Sequence, residues 1–154
     1  MNAKAIVLTV MLCLFGVSVC YAGDVNMGTW KLNEAKSTLA PGTSKNTMVV
    51  YAVAGDEVQV TVDGVDAAGK PAHNEWKGKF DGKDYAVTGD PTTDTRSYKK
   101  SGARTLKLTN KKGGKITTAG SVVVSADGKS RTVTVSGTDA DGKKFTGKAV
   151  YDKQ

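Results

Sequence analysis

Cysteine and histidine are almost missing from this chain of 154 residues, which has two cysteines, Cys13 and Cys20, and one histidine, His73. Both cysteines lie within the first 20 residues, so the remainder has no thiol for a disulfide or a soft metal. Nothing places a nucleophile beside a base, and neither G-x-S-x-G nor H-E-x-x-H occurs. No enzymatic activity is expected. His73, next to Asn74 and Glu75 at a strand start, reads as a surface residue. Asp139-Ala140-Asp141-Gly142 begins like a calcium loop but lacks the later ligands and the bidentate acid, and Asp63, Asp66 and Gly69 fail in the same way. Both read as hairpin turns, with neither metal nor cofactor expected.

Long apolar runs are equally scarce. The only one spans residues 5–19, preceded by Lys4, and it reads as a signal peptide cleaved after Ala22, with Cys20 and Ala22 as the small residues at −3 and −1. It is short for a transmembrane span and no charged stop follows it. A lipid-anchored alternative would acylate Cys20, where Val19 is bulkier than the preceding residue such sites prefer. Cleavage leaves 132 of the 154 residues, enough for one domain, residues 23–154. A domain of that size buries about two thirds of its unfolded surface. The reading is an exported protein, periplasmic or secreted, monomeric and without a further transmembrane segment. Loss of Lys4 lowers the formal charge from +7 to +6, which favours anionic surroundings.

What the chain does contain is strands. After residue 22 no helical period stands out; short runs of Val, Thr, Tyr or Ile alternate with Gly, Asp and Lys turns. Strands are predicted near 27–33, 48–53, 58–62, 75–80, 85–87, 96–99, 105–110, 116–125, 132–136 and 145–151. Residues 33–45, with Pro41-Gly42, form the longest early connection. Asp81-Gly82 is a two-residue hairpin signal, and Trp76, Gly78 and Phe80 share one face. About ten strands in an even meander must close or pack face to face. The expected fold is therefore all-β, a single antiparallel up-and-down barrel. The stretch 60–70 also echoes 133–143 at an offset of 73 residues, with matching turn chemistry, which fits either a half-barrel duplication or convergence on common turn residues.

Gly28-Thr29-Trp30-Lys31-Leu32-Asn33 resembles the first strand of the calycin superfamily, the lipocalins and intracellular fatty-acid-binding proteins. Ala149-Val150-Tyr151-Asp152-Lys153 resembles the final strand of the fatty-acid-binding branch, and the chain after residue 22 is similar to bacterial exported lipocalin-like proteins. The resemblance implies a barrel plugged by Trp30 and a small apolar or amphipathic ligand in its interior. The family's terminal Arg-x-Tyr carboxylate clamp does not carry over. Tyr151 matches, but Ala149 stands at the arginine position and Lys148 has the opposite strand parity. The connection 33–45 is also too short for a two-helix lid.

Aromatic residues that can face a cavity are Trp30, Tyr51, Trp76, Phe80, Tyr85, Tyr98, Phe145 and Tyr151, with Tyr151 and Arg96 or Arg104 as polar contacts. The alternative function lies on the surface. Acidic residues are absent from 95–126, where Arg96, Lys99, Lys100, Arg104, Lys107, Lys111, Lys112 and Lys115 predict a basic face for anionic lipid or a polyanion. Nucleic acid is disfavoured, because Tyr98 is the lone aromatic among these charges and stacking platforms need several.

Overall fold

The computed structural model describes residues 23–139 and 141–154; the predicted signal peptide, both cysteines and Ala140 lie outside the described residues. Ten strands follow in chain order: β1 (Gly28–Leu32), β2 (Lys45–Ala54), β3 (Glu57–Val65), β4 (Pro71–Gly78), β5 (Tyr85–Thr88), β6 (Thr95–Gly102), β7 (Thr105–Lys112), β8 (Lys115–Val124), β9 (Ser130–Thr138) and β10 (Lys144–Lys153). Each pairs antiparallel with its sequence neighbour, and β1 closes on β10, so the sheet is a closed up-and-down barrel without a free edge. Closure follows from period-2 patterning: Val58, Val60 and Val62 point in from β3, Tyr98 from β6, and Val122 and Val124 from β8.

One half of the barrel is sealed. Trp30 is fully buried, and its indole Nε1 donates to the Asn26 carbonyl at 2.9 Å, which ties the segment before β1 across that end. Asn26 is 2% exposed, and Val25 and Met27 pack on the core beside it. Further along, Trp76 stacks on Phe80 at 6.4 Å and meets Tyr98 edge-on at 4.9 Å. A buried tryptophan removes about 200 Å² from water, an upper estimate of about 5 kcal/mol at 25 cal/mol per Å². Trp30 and Trp76 therefore dominate the core. Gly28 has φ +115°, and a Cβ there would stand 2.9 Å from the Lys153 side chain that crosses it. The ammonium of Lys153 lies 5.1 Å over the Trp30 ring, so the Gly-x-Trp pair makes room for its own cover.

The connection after β1 is a wall rather than a lid. A 3-10 turn at Glu34–Lys36 is capped by Asn33, and Thr38 then pairs with Lys148 of β10 through bonds of 2.7 and 2.9 Å. The Asp81-Gly82 signal does not produce a two-residue hairpin. Gly82 N–H donates to the Tyr98 carbonyl, Lys100 N–H donates to the Phe80 carbonyl, and Asp81 bridges to Lys99. Pairing with β6 thus overrides the local turn, and the link from β4 to β5 becomes a six-residue excursion, residues 79–84.

The internal echo is structural as well as sequential. Asp66 Oδ1 accepts from the backbone of Ala68 and Lys70 at 2.8 and 2.9 Å. Asp139 Oδ1 accepts from Asp141 and Lys143 at 3.0 and 2.8 Å. Gly64 and Gly137, also 73 residues apart, both lie where a Cβ would overlap a carbonyl of the adjacent strand, that of Lys45 and that of Thr117 respectively. At both points the absence of a side chain lets adjacent strands come close together.

Candidate functional site

Strand direction places the ends of β1 and β3, the starts of β2 and β4, and the β7–β8 and β9–β10 hairpins at the barrel end opposite the sealed half. Two inward rows here are aliphatic or glycine. Across four strands the inward row reads Leu108, Gly120, Val135 and Gly147 by direct pairing, and the next reads Leu106, Val122, Val133 and Ala149. Leu106 and Val122 are buried, whereas Leu108, Gly120, Val133, Val135, Gly147 and Ala149 are only half-buried. Their partial exposure marks this half as less completely covered than the other. Leu108, Val133, Val135 and Ala149 form an apolar wall with few groups to bond a polar molecule, while Gly120 lets the β8 and β9 backbones approach where a Cβ would meet the Thr134 carbonyl.

Two arginines point into this barrel without a carboxylate. Arg131, on β9 opposite Tyr151, is 2% exposed. Its guanidinium carbon lies 4.8 Å from the Trp30 ring, 4.7 Å from Tyr51 and 5.1 Å from Tyr151, and its Nε and Nη1 have no hydrogen-bond partner. The rings hold the cation in the sealed half. Arg96, at the open end of β6, is 6% exposed. Its Nε donates to Asn110 Oδ1 at 2.9 Å and its Nη1 to Asn74 Oδ1 at 3.4 Å. Trp76 Nε1 donates to the Arg96 carbonyl at 2.8 Å, fixing the backbone beneath it. Neither arginine forms an ion pair among the described residues.

Of the sequence-predicted cavity aromatics, Trp30, Tyr51, Trp76, Phe80, Tyr98 and Tyr151 are buried together in the sealed half, and Tyr85 and Phe145 are half-buried. The six fill that half rather than line a void, whereas Phe145 lies against Gly137 beside the β9–β10 hairpin at the other end. Tyr51 donates to the Tyr98 hydroxyl at 3.2 Å, and burial pushes its phenol well above the usual value. Tyr151 donates to the Asn46 carbonyl at 3.1 Å, and burial pushes it up to about 12, against the pull of Arg131. Arg131 is the residue that sequence reasoning missed. Its signal was parity: it sits two residues before Val133 and four before Val135, on the inward side of the same strand.

The basic face breaks up. Arg96 turns inward, and Asp24, Asp84 and Asp94 come from elsewhere in the chain to pair with Lys100, Lys111 and Lys112 at 2.5, 2.6 and 2.7 Å. Lys99 and Lys107 stand directly opposite each other on the outer wall, while Arg104 and Lys115 lie at opposite ends of the barrel. His73 is exposed, as expected, with Nδ1 2.7 Å from Asp63 and Nε2 3.5 Å from Glu75. The Asp63 hydrogen bond holds its pKa above the ordinary value. Two open depressions on the outside are lined by Lys31, Leu32, Asn33, Glu34, Ala35, Asp152 and Gln154, and by the rim around Ile116 and Phe145.

No protein-family model matches this chain, and no curated protein matches it.

Proposed function

We propose that this is an exported binding protein that holds a small apolar or amphipathic molecule in the open half of its barrel. The observation that carries this reading is the contrast between the halves. Large aromatic side chains seal one, while the other keeps inward Leu108, Val133, Val135 and Ala149 half-buried, with the half-buried Phe145 ring at its rim. An interior that served only stability would cover those aliphatic side chains, since each uncovered methylene forfeits about 0.8 kcal/mol of burial. The ten-strand closed meander, with Trp30 as plug, also supports the calycin-like resemblance of the two chain ends.

Native mass spectrometry of the protein purified from the host that makes it, before and after organic extraction, tests the reading. A defined excess mass that leaves on extraction is expected. A bare chain before extraction, together with failure to take up any amphiphile offered afterwards, would overturn it.

A further inference from the structure

We propose that the polar end of the bound molecule is an oxyanion, a carboxylate or a phosphate ester, received at Arg96 by its free guanidinium N–H groups and the side-chain amides of Asn74 and Asn110. This rests on the amphipathic-ligand reading above and assigns the headgroup to that site.

The cluster is built of donors. A guanidinium carries five N–H groups, of which Arg96 spends one on Asn110 and one on Asn74. Both asparagines turn their oxygens to Arg96, and their side-chain amide N–H groups have no hydrogen-bond partner among the described residues. Beyond those two amide oxygens, the remaining N–H groups of this buried cation have neither a hydrogen-bond acceptor nor a negative charge among the described residues. A neutral carbonyl would supply the first alone, whereas an oxyanion supplies both.

Position agrees with chemistry. Asn110 pairs directly with Arg96 across β6 and β7 and is itself half-buried, two residues along the inward row from Leu108. A molecule whose apolar body lies against Leu108, Val133 and Val135 therefore brings its head to β4, β6 and β7. Arg131 cannot receive it, because three aromatic rings cover that guanidinium within the sealed half. The site is also remote in sequence from Tyr151 and Ala149 on the last strand. Its backbone is fixed by the Trp76 indole, so the donors are set before a ligand arrives.

The test compares four ligands with one alkyl chain, decanoate, monodecyl phosphate, decanol and decyltrimethylammonium, by calorimetric titration of residues 23–154. Both anions are expected to bind at least tenfold tighter than decanol, and the cation weakest; the tighter of the two anions identifies the headgroup. In Arg96→Met the ratio of anion to decanol affinity is expected to fall to near one. Asn110→Asp, which keeps the Arg96 acceptor but neutralises the guanidinium, is expected to do the same and serves where Arg96→Met fails to fold. Equal binding of all four ligands, or an anion preference that survives in Asn110→Asp, overturns the headgroup assignment and leaves the amphipathic reading standing. Binding of none, decanol included, overturns both.

Discussion

Replacing Arg131 by methionine should leave the barrel about as stable as before, although it removes a fully enclosed charge and three ring contacts. The rings of Trp30, Tyr51 and Tyr151, at 4.7 to 5.1 Å, favour the cation by at most about 2 kcal/mol each when desolvated, about 6 kcal/mol together. Against this stands the cost of enclosing an ion without a counter-charge, several kcal/mol after relaxation. The unpaired Nε and Nη1 are one visible part of that cost, about 1–3 kcal/mol each. The two sides nearly cancel, and methionine removes both while filling most of the same space. Alanine removes them too but leaves a void beneath Trp30, for which about 3 kcal/mol is the usual loss. Urea unfolding followed by tryptophan fluorescence should therefore place Arg131→Met within about 1 kcal/mol of the parent. Arg131→Ala should lie about 3 kcal/mol lower. If methionine proves as damaging as alanine, the cation–ring attraction outweighs the desolvation cost and the balance drawn here is wrong.

Other consequences can be checked separately. Tyr98→Phe leaves the buried Tyr51 hydroxyl without its 3.2 Å partner and should cost about 2 kcal/mol; the double change with Tyr51→Phe should cost little more, so a double-mutant cycle is expected to show coupling of about 1 kcal/mol or more. Gly64→Ala drives a methyl into the Lys45 carbonyl and to 2.9 Å from the Asn46 Cα, rigid backbone on both counts, and should lower stability by about 3 kcal/mol in urea titration; Gly69→Ala, in open space but at φ +78°, should lose about 1 kcal/mol from strain alone. By nuclear magnetic resonance, His73 should titrate above 6.5, and Asp63→Asn should bring it back towards that value; because the folded pKa is raised, its contribution to stability is full below 6.5 and fades as pH rises. Burial pushes Asp24 up, but Lys100 and the Asn26 amides outweigh it and hold the carboxyl low. Its contribution is thus present above about pH 4 and lost as pH falls through the folded value, and Asp24→Asn should flatten the acid limb of the stability profile.

The architecture was legible because it rests on short-range chemistry. Alternation in 58–62, the Asp-Gly and Gly-Gly turns, and the Gly-x-Trp strand each specify a local geometry, and ten such elements in even succession have few ways to close. Asp81-Gly82 was misleading because a turn propensity worth about 1 kcal/mol loses to the ladder that Phe80 and Gly82 form with β6. The site was harder to see. Arg96 stands among lysines in sequence, and its charge argues for the surface, while its parity with Tyr98 puts it inside. Arg131 shares a strand face with Val133 and Val135, but the predicted strand began one residue too late to include it. The acids that meet the basic stretch lie outside it in sequence: Asp94 reaches Lys112 across the β6–β7 pair, while Asp24 and Asp84 come from more distant segments to Lys100 and Lys111.

Where the ligand sits can be read directly from methyl resonances. The protein would be labelled at the leucine and valine methyls and titrated with monodecyl phosphate. Leu108, Val133 and Val135 of the open half should shift, while Val58, Val60 and Val124 of the sealed half should stay in place. Shifts confined to the outward Val53 and Val123, or shifts in none of these methyls at saturating ligand, would contradict an interior binding site.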